Sequence, residues 1–356
     1  MSVTFEQLGA WPGILGRLTA RQDLGAEEAA CALDQVLSGE ATPAQIAAFV
    51  AALRTKGETV DEMAGMVRAM LEHAERLSIP GDLVDTCGTG GDRSDSINVS
   101  TAAAFVVAGA GARVCKHGGR ASSSATGSAD VLEALGVVID LGPEGVARCV
   151  AEVGMGFCFA PRFHPAMRFA GPVRRELGVA TVFNFLGPLA NPARARHQVV
   201  GVGDPAMAEK MVGVLLANGC ARAWVVHGAD GLDELTTTGT TTVLEVDGTG
   251  AGAGEVRRFT VDATELGLAR AELDDLRGGD AAANAESVRR VLEGDPGAHR
   301  DIVLLNAAAG LVVAGMATDL ARGLELAAGS VDEGRAGQVL RSLVQVSHDA
   351  AQQAAG

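Results

Sequence analysis

Residues 85–120 read DTCGTGGDRSDSINVSTAAAFVVAGAGARVCKHGGR. Two apolar runs of strand length, 83–87 and 112–115, each lead directly into a glycine-rich polar loop. A helix-like stretch of small residues, 102–109, lies between them. Strand, loop, helix, strand, loop is the order of an α/β unit with parallel strands. Glycine loops expose backbone N–H groups, and a helix starting behind such a loop turns its positive end toward it. A phosphate group needs both. Lys116, His117 and Arg120 in the second loop add positive charge. The stretch predicts a polyphosphate site on an α/β fold.

Outward from this segment the pattern continues. Apolar runs at 136–139, 198–202, 221–227 and 242–246 alternate with helix-like stretches, including 280–292 and 301–316. This predicts an α/β domain over 81–356 with a central, mostly parallel sheet. Residues 1–80 instead read as helix after helix, a small all-helical unit suited to packing or oligomerisation. Thr42-Pro43-Ala44-Gln45 forms a capping box with proline at the first helical position, and Gly57 closes that helix. Thr59 and Glu62 open the next, with Met63, Met66, Val67, Met70 and Leu71 on one face. The GTGAGAG run at 248–254 reads as a hairpin tip or loop without function.

With 356 residues, 47% of them hydrophobic, the chain can bury a large core. Its formal net charge of −15 disfavours nucleic acid and anionic membranes as partners. The same charge repels a polyphosphate, so any anion site must be local: backbone N–H groups, a few Lys or Arg, and a divalent metal. The start carries no basic segment with an apolar stretch behind it, and the longest uncharged apolar run, near 102–111, is too short to span a bilayer. A cytoplasmic protein is expected. The six cysteines include no C-x-x-C pair and read as reduced core thiols, Cys87 and Cys115 among them.

Ligands of open parallel sheets bind beyond the carboxyl ends of the strands. Three loops qualify: Gly88-Thr89-Gly90-Gly91-Asp92, Lys116-His117-Gly118-Gly119-Arg120, and 228–234 after ARAWVVH. Each alone is weak, but three at one edge are harder to dismiss. Asn98-Val99-Ser100-Thr101 reads as an N-cap cluster, which is also anion-binding geometry. Asp233 and Glu234 are adjacent acids, commonly just solvated surface. After an apolar strand and a GADG turn at this edge they read as Mg²⁺ ligands, since that ion binds through one or two carboxylates plus substrate oxygens. Among the seven histidines, His117 sits in the basic loop and His164 precedes Arg174 and Arg175. Those arginines form either a salt-bridged face or a guanidinium aimed at a substrate carboxylate.

Together DTCGTGGD, NVST, KHGGR, GSADVLEALG, FAPRFHPAMRFAGPVRRELG, TVFNFLGPLANP and HGADGLDELTTT resemble the anthranilate phosphoribosyltransferases of tryptophan biosynthesis. The likeness runs to GLVVAG near Leu311. It implies a cleft between the helical domain, with a later helical contribution from about 165–190, and the α/β domain. It also implies a homodimer joined through the helical domains, phosphoribosyl pyrophosphate (PRPP) as donor, anthranilate as acceptor and Mg²⁺ as cofactor. By resemblance, Gly88, Thr89, Gly90, Gly91, Asp92, Ser96, Asn98, Ser100, Thr101, Lys116 and Ser128 bind PRPP. Ser100, Asp233 and Glu234 match metal positions. Gly88, His117, Gly118, Gly119, His164 and Arg174 match the path of the aromatic acid, with Arg174 facing its carboxylate. No residue is expected to act as acid or base. The family usually carries asparagine after KHG; Gly119 removes that side chain. Anthranilate use is the expectation, and a same-fold transferase for another aromatic acid is the alternative. A pyrimidine nucleoside phosphorylase fits the LDEL and PVRRELG segments less well, and intact Asn98, Lys116, Asp233 and Glu234 argue against a PRPP-binding regulator without turnover.

Overall fold

The computed structural model describes residues 3–92, 94–121, 126–249 and 254–355. The chain opens with four helices, α1 (Ala10–Thr19), α2 (Ala26–Leu37), α3 (Pro43–Lys56) and α4 (Val60–Glu72). Both capping boxes form as the sequence predicts. Thr42 accepts from the Gln45 N–H and Thr59 from the Glu62 N–H, while each N3 side chain returns the bond. The buried face of α4 carries Met63, Met66, Val67 and Met70.

The α/β part then runs β1 (Val84–Gly88), α5 (Val99–Gly109), β2 (Val114–Gly118), α6 (Ser128–Ala134), α7 (Pro143–Val153) and β3 (Met155–Phe159). Three short helices follow: α8 (Ala160–Phe163), α9 (Gly171–Leu177) and α10 (Phe183–Leu186). Next come β4 (His197–Gly201), α11 (Pro205–Ala217), β5 (Arg222–Gly228), β6 (Thr240–Asp247) and β7 (Val256–Asp262). Helices α12 (Ala281–Leu292), α13 (Ala298–Val313), α14 (Leu320–Asp332) and α15 (Arg335–Ala355) close the chain.

The seven strands lie in the order β3-β2-β1-β4-β5-β6-β7; the first five are parallel, and β6 and β7 are antiparallel additions at one edge. Alternate side chains serve the two faces, as a pleated strand requires. Val199, Trp224 and Val226 join a core with α5, α13 and α14, whereas Val200, Ala223 and Val225 join a core with α1–α4, α9–α11. Helix α5 is buried on every side from Thr101 to Ala108, which explains its unbroken run of small and apolar residues.

Two strand expectations need correction. Residues 136–139 form no strand; Val137 and Ile139 are buried, and the Val138 N–H goes to the Ser347 hydroxyl at 3.0 Å on α15 rather than into a ladder. The third parallel strand is β3 instead. Its Gly156 weakens the strand pattern, but a Cβ there would lie 2.7 Å from Val150 Cγ2, so the glycine lets α7 close on the sheet. Strand β7, with its exposed Arg257 and Arg258, was not anticipated. The turn joining it to β6 falls in the 248–254 run, of which 250–253 lie outside the described residues.

Candidate active site

From β1 the chain builds outward through β2 to β3, then restarts at β4 on the other side of β1. Such a switch point opens a crevice at the carboxyl edge of the sheet. The three glycine-containing loops meet there. They line one cleft of about 360 Å³, whose remaining wall includes Ala160, Arg174, Phe183, Asn184, Gly187 and Pro188.

The loop after β1 folds around an acid. Gly90 and Gly91 have φ of 68° and 82°, the left-handed region that favours glycine, and the Gly90 N–H donates to Asp233 Oδ2 at 2.6 Å. A Cβ on Gly88 would lie 2.2 Å from that same oxygen. Glu234 Oε1 accepts from the Ser100 N–H at 3.0 Å, on the positive end of α5. Burial above all, with Asp92 beside it, pushes the Asp233 carboxyl up; burial and Asp233 do the same to Glu234, against the pull of Lys116.

Lys116 is 1% exposed, and its ammonium donates to the Thr86 carbonyl and to Ser100 Oγ, the latter at 3.2 Å. Beneath it Asp85 is buried and raised to about 6 by desolvation. The Lys116 charge, Asn191 Nδ2 at 2.8 Å and the His117 N–H at 3.3 Å all oppose that rise. Asp85 and Glu234 both feel the Lys116 charge, while Asp92, Asp233 and Glu234 crowd one another. The donor set suits a hard divalent cation. Among the described residues no three His, Cys, Asp or Glu side chains enclose a metal by themselves, so ligand oxygens would complete the shell.

Asn98 stands at the N-cap position of α5 without capping it: its Nδ2 donates to the Thr126 carbonyl, and its Oδ1 accepts from Asn284. Thr101 Oγ1 is buried without a partner at the cleft wall. Ser96 and Ser128 also line the cleft, their hydroxyls donating to the Ile97 and Gly119 carbonyls.

His117 lies buried at the cleft. Its Nδ1 meets the Gly187 carbonyl at 3.2 Å and must carry the proton there, leaving Nε2 a bare acceptor without a partner. Burial, chiefly, pushes its pKa down to about 3, so the ring is neutral near pH 7. The unfolded chain binds that proton near pH 6.5, so the fold loses stability as pH falls from about 6.5 toward 3. His117→Gln is expected to flatten the decline of Tm between roughly pH 7 and pH 4; an unchanged slope would contradict a neutral buried ring.

Arg174, on α9, places its guanidinium 5.4 Å over the Phe183 ring. Burial lowers its pKa, yet no described carboxylate lies within ion-pair distance. Three expectations fare differently. Arg120 reaches the cleft, but its guanidinium is held by Asp130 and Glu133, so its charge is already matched. His164 does not reach the cleft wall; it stands behind His117, ring centres 5.1 Å apart, with Nε2 on the Ala190 carbonyl at 2.9 Å. Gly91 shapes its loop without lining the cavity. Phe183, Asn184 and Asn284 were not anticipated, although TVFNFLGPLANP carries the first two.

Residues 80–337 match the model of a glycosyl transferase family, a/b domain, and residues 12–74 that of its helical bundle domain. An anthranilate phosphoribosyltransferase from Nocardioides is 56% identical over 338 residues, covering 94% of this chain and 97% of that protein. The chain belongs to the anthranilate phosphoribosyltransferase family. One from Chloroflexus aggregans is 53% identical, covering 94% of this chain and 97% of that protein. The crystal structure from Thermus thermophilus superimposes with a TM-score of 0.88 at 42% identity, covering 94% of this chain and 99% of that one. A Saccharomyces cerevisiae structure in complex with PRPP and Mg has a TM-score of 0.87 at 26% identity, covering 95% of this chain and 98% of that one. The family's reaction transfers the phosphoribosyl group of PRPP to anthranilate in tryptophan biosynthesis, and the cleft has the chemistry for it.

Proposed function

We propose that the cleft performs this transfer with Mg²⁺, and that its two sides divide the substrates. The loop of Gly88, Thr89, Gly90, Gly91 and Asp92, with Ser96, Asn98, Ser100, Thr101, Lys116 and Ser128, holds PRPP. His117, Gly118, Gly119 and Arg174, with Gly88, line the approach of anthranilate, and His164 supports His117 from behind. Asp233, Glu234 and Ser100 would hold Mg²⁺, which when bound neutralises the departing pyrophosphate. The amine of anthranilate attacks the anomeric carbon as the bond to pyrophosphate breaks, and the nitrogen then gives up one proton to solvent. Lys116 and those N–H groups of the loop that are not bonded to Asp233 or to the Gly201 carbonyl take up charge growing on the leaving group. An aromatic amine is already neutral at pH 7, so positioning does most of the rest.

The observation that carries this reading is the unmatched guanidinium of Arg174 lining the same cleft as the acid pair and the glycine loops. A carboxylate on the acceptor would satisfy it in bidentate fashion. Arg174→Gln is expected to raise the KM for anthranilate about tenfold, the loss of one charge-assisted contact, with KM for PRPP unchanged. Equal rises for both substrates in steady-state kinetics would contradict the division.

Gly119 lines the cleft, and a Cβ there meets only Ala160 Cβ at 3.8 Å, so a larger side chain fits. Gly119→Asn is expected to lower the KM for anthranilate a few-fold, as about 1 kcal/mol allows. An unchanged or higher KM counts against any role for this position in acceptor binding.

The same reading includes a homodimer joined through the helical part, a cytoplasmic location, and a division into residues 1–80, receiving 165–190, and 81–356. The second core supports the contribution from 165–190, since it gathers α1–α4 with Ala170, Val173, Val182 and Phe183, and it continues into Val200, Ala223 and Val225 of the sheet. No described helix is long and apolar enough to cross a membrane. Sedimentation at micromolar concentration tests the dimer; a monomer there counts against it.

A further inference from the structure

A second cavity, of about 200 Å³, opens at the opposite edge of the sheet, where β4 and β5 begin. Its apolar side is Leu71, Leu189, Val214 and Leu215. Arg194 and Arg196 also line it, and no acidic residue does. Neither guanidinium has a described carboxylate within ion-pair distance; Arg196 spends only its Nε, on the Gly219 carbonyl at 3.3 Å. Both arginines are exposed, so an incoming anion can reach them from solvent.

Two further observations point to a ligand. Asn218 Nδ2, also at this cavity, is buried from solvent and donates to nothing. A donor left without an acceptor is costly, so an occupant whose oxygen drew this amide toward the cavity would be favoured. Arg194 itself has φ of 52°, a conformation that a long side chain rarely adopts and that tends to persist at ligand-binding positions.

We propose that this cavity is a second binding site, for a small carboxylate with an apolar body. The guanidiniums take the carboxylate, which matches their planar fork, and the leucine and valine side chains take the body. The cavity is walled off from the active cleft by one short segment. Leu189 and Asn191 face the cavity while Gly187 and Pro188 face the cleft, and Gln198 Nε2 holds the Pro188 carbonyl at 3.2 Å. An occupant would therefore abut the segment that ends at the acceptor wall. The proposal does not depend on which substrate the cleft uses.

Titration calorimetry of the full chain with 4-methylpentanoate tests it, with inorganic phosphate as the second probe. One site for 4-methylpentanoate is expected at a Kd of about 1 mM or below. Binding should weaken at least about tenfold in Arg194→Gln/Arg196→Gln, the loss of a charge-assisted pair. It should persist in Asp233→Asn/Glu234→Gln, whose changes lie in the other cleft. Arg194→Gly suits the backbone there and should keep or raise Tm while still weakening binding, which separates the ligand role from stability. No heat with 4-methylpentanoate at about 10 mM overturns the site. So does equal binding by the arginine variants. Tighter binding of phosphate than of 4-methylpentanoate overturns the ligand class.

Discussion

Asp233→Asn/Glu234→Gln is expected to lower kcat at least about 10³-fold while leaving Tm unchanged or higher, because the change removes a metal site together with two carboxyls that folding makes costly to ionise. The two carboxylates are buried and crowded, and their pKa values are raised. A carboxyl whose pKa is raised by folding is penalised wherever the unfolded chain would ionise it. The penalty is therefore present near pH 7 and fades as pH falls below about 4. The amides keep an oxygen to accept from the Gly90 and Ser100 N–H groups, so the loop after β1 and the start of α5 retain their bonds. Normal turnover in the double variant would contradict the metal assignment. A Tm several degrees lower would contradict the view that these acids are held at a cost for function.

Gly88→Ala is expected to reduce kcat on the order of 10²-fold, the scale of a roughly 1 Å misplacement of a reacting group. The added Cβ would lie 2.2 Å from Asp233 Oδ2 and 3.2 Å from the Asp233 carbonyl oxygen, so the carboxylate must move and its bond from the Gly90 N–H must break. The glycine is thus required by the acid it faces, 145 positions on in the chain. Raising Mg²⁺ should recover part of the activity, because the defect lies in the metal's ligand. A variant with wild-type kcat and Mg²⁺ dependence would show that Asp233 is not positioned as described.

Much of this was legible in the chain because it depends on neighbours in sequence. Thr42 with Gln45 and Thr59 with Glu62 place two helix starts, and the run through GTGGD and KHGGR places two strands, a helix and two loops. What local pattern missed depends on distant partners. Strand β3 goes unread because Gly156 interrupts its apolar pattern, and only the fold shows α7 lying against that glycine. The apolar run at 136–139 looks like a strand because burial on α15 asks for the same residues as burial in a sheet. Arg120 looks like free positive charge until Asp130 and Glu133 are seen on it, and His164 looks like a cleft residue until it is found behind His117. Asn98 reads as a cap, yet its amide serves Thr126 and Asn284.

The central claim is that one cleft joins PRPP to anthranilate through a metal held by Asp233 and Glu234. The most direct test follows anthranilate fluorescence with PRPP and Mg²⁺, with and without EDTA. Loss of fluorescence that requires PRPP and stops on chelation is the predicted result. Undiminished anthranilate fluorescence in the presence of PRPP and Mg²⁺, with PRPP binding still seen by calorimetry, would contradict it and assign the acceptor side to a different aromatic acid.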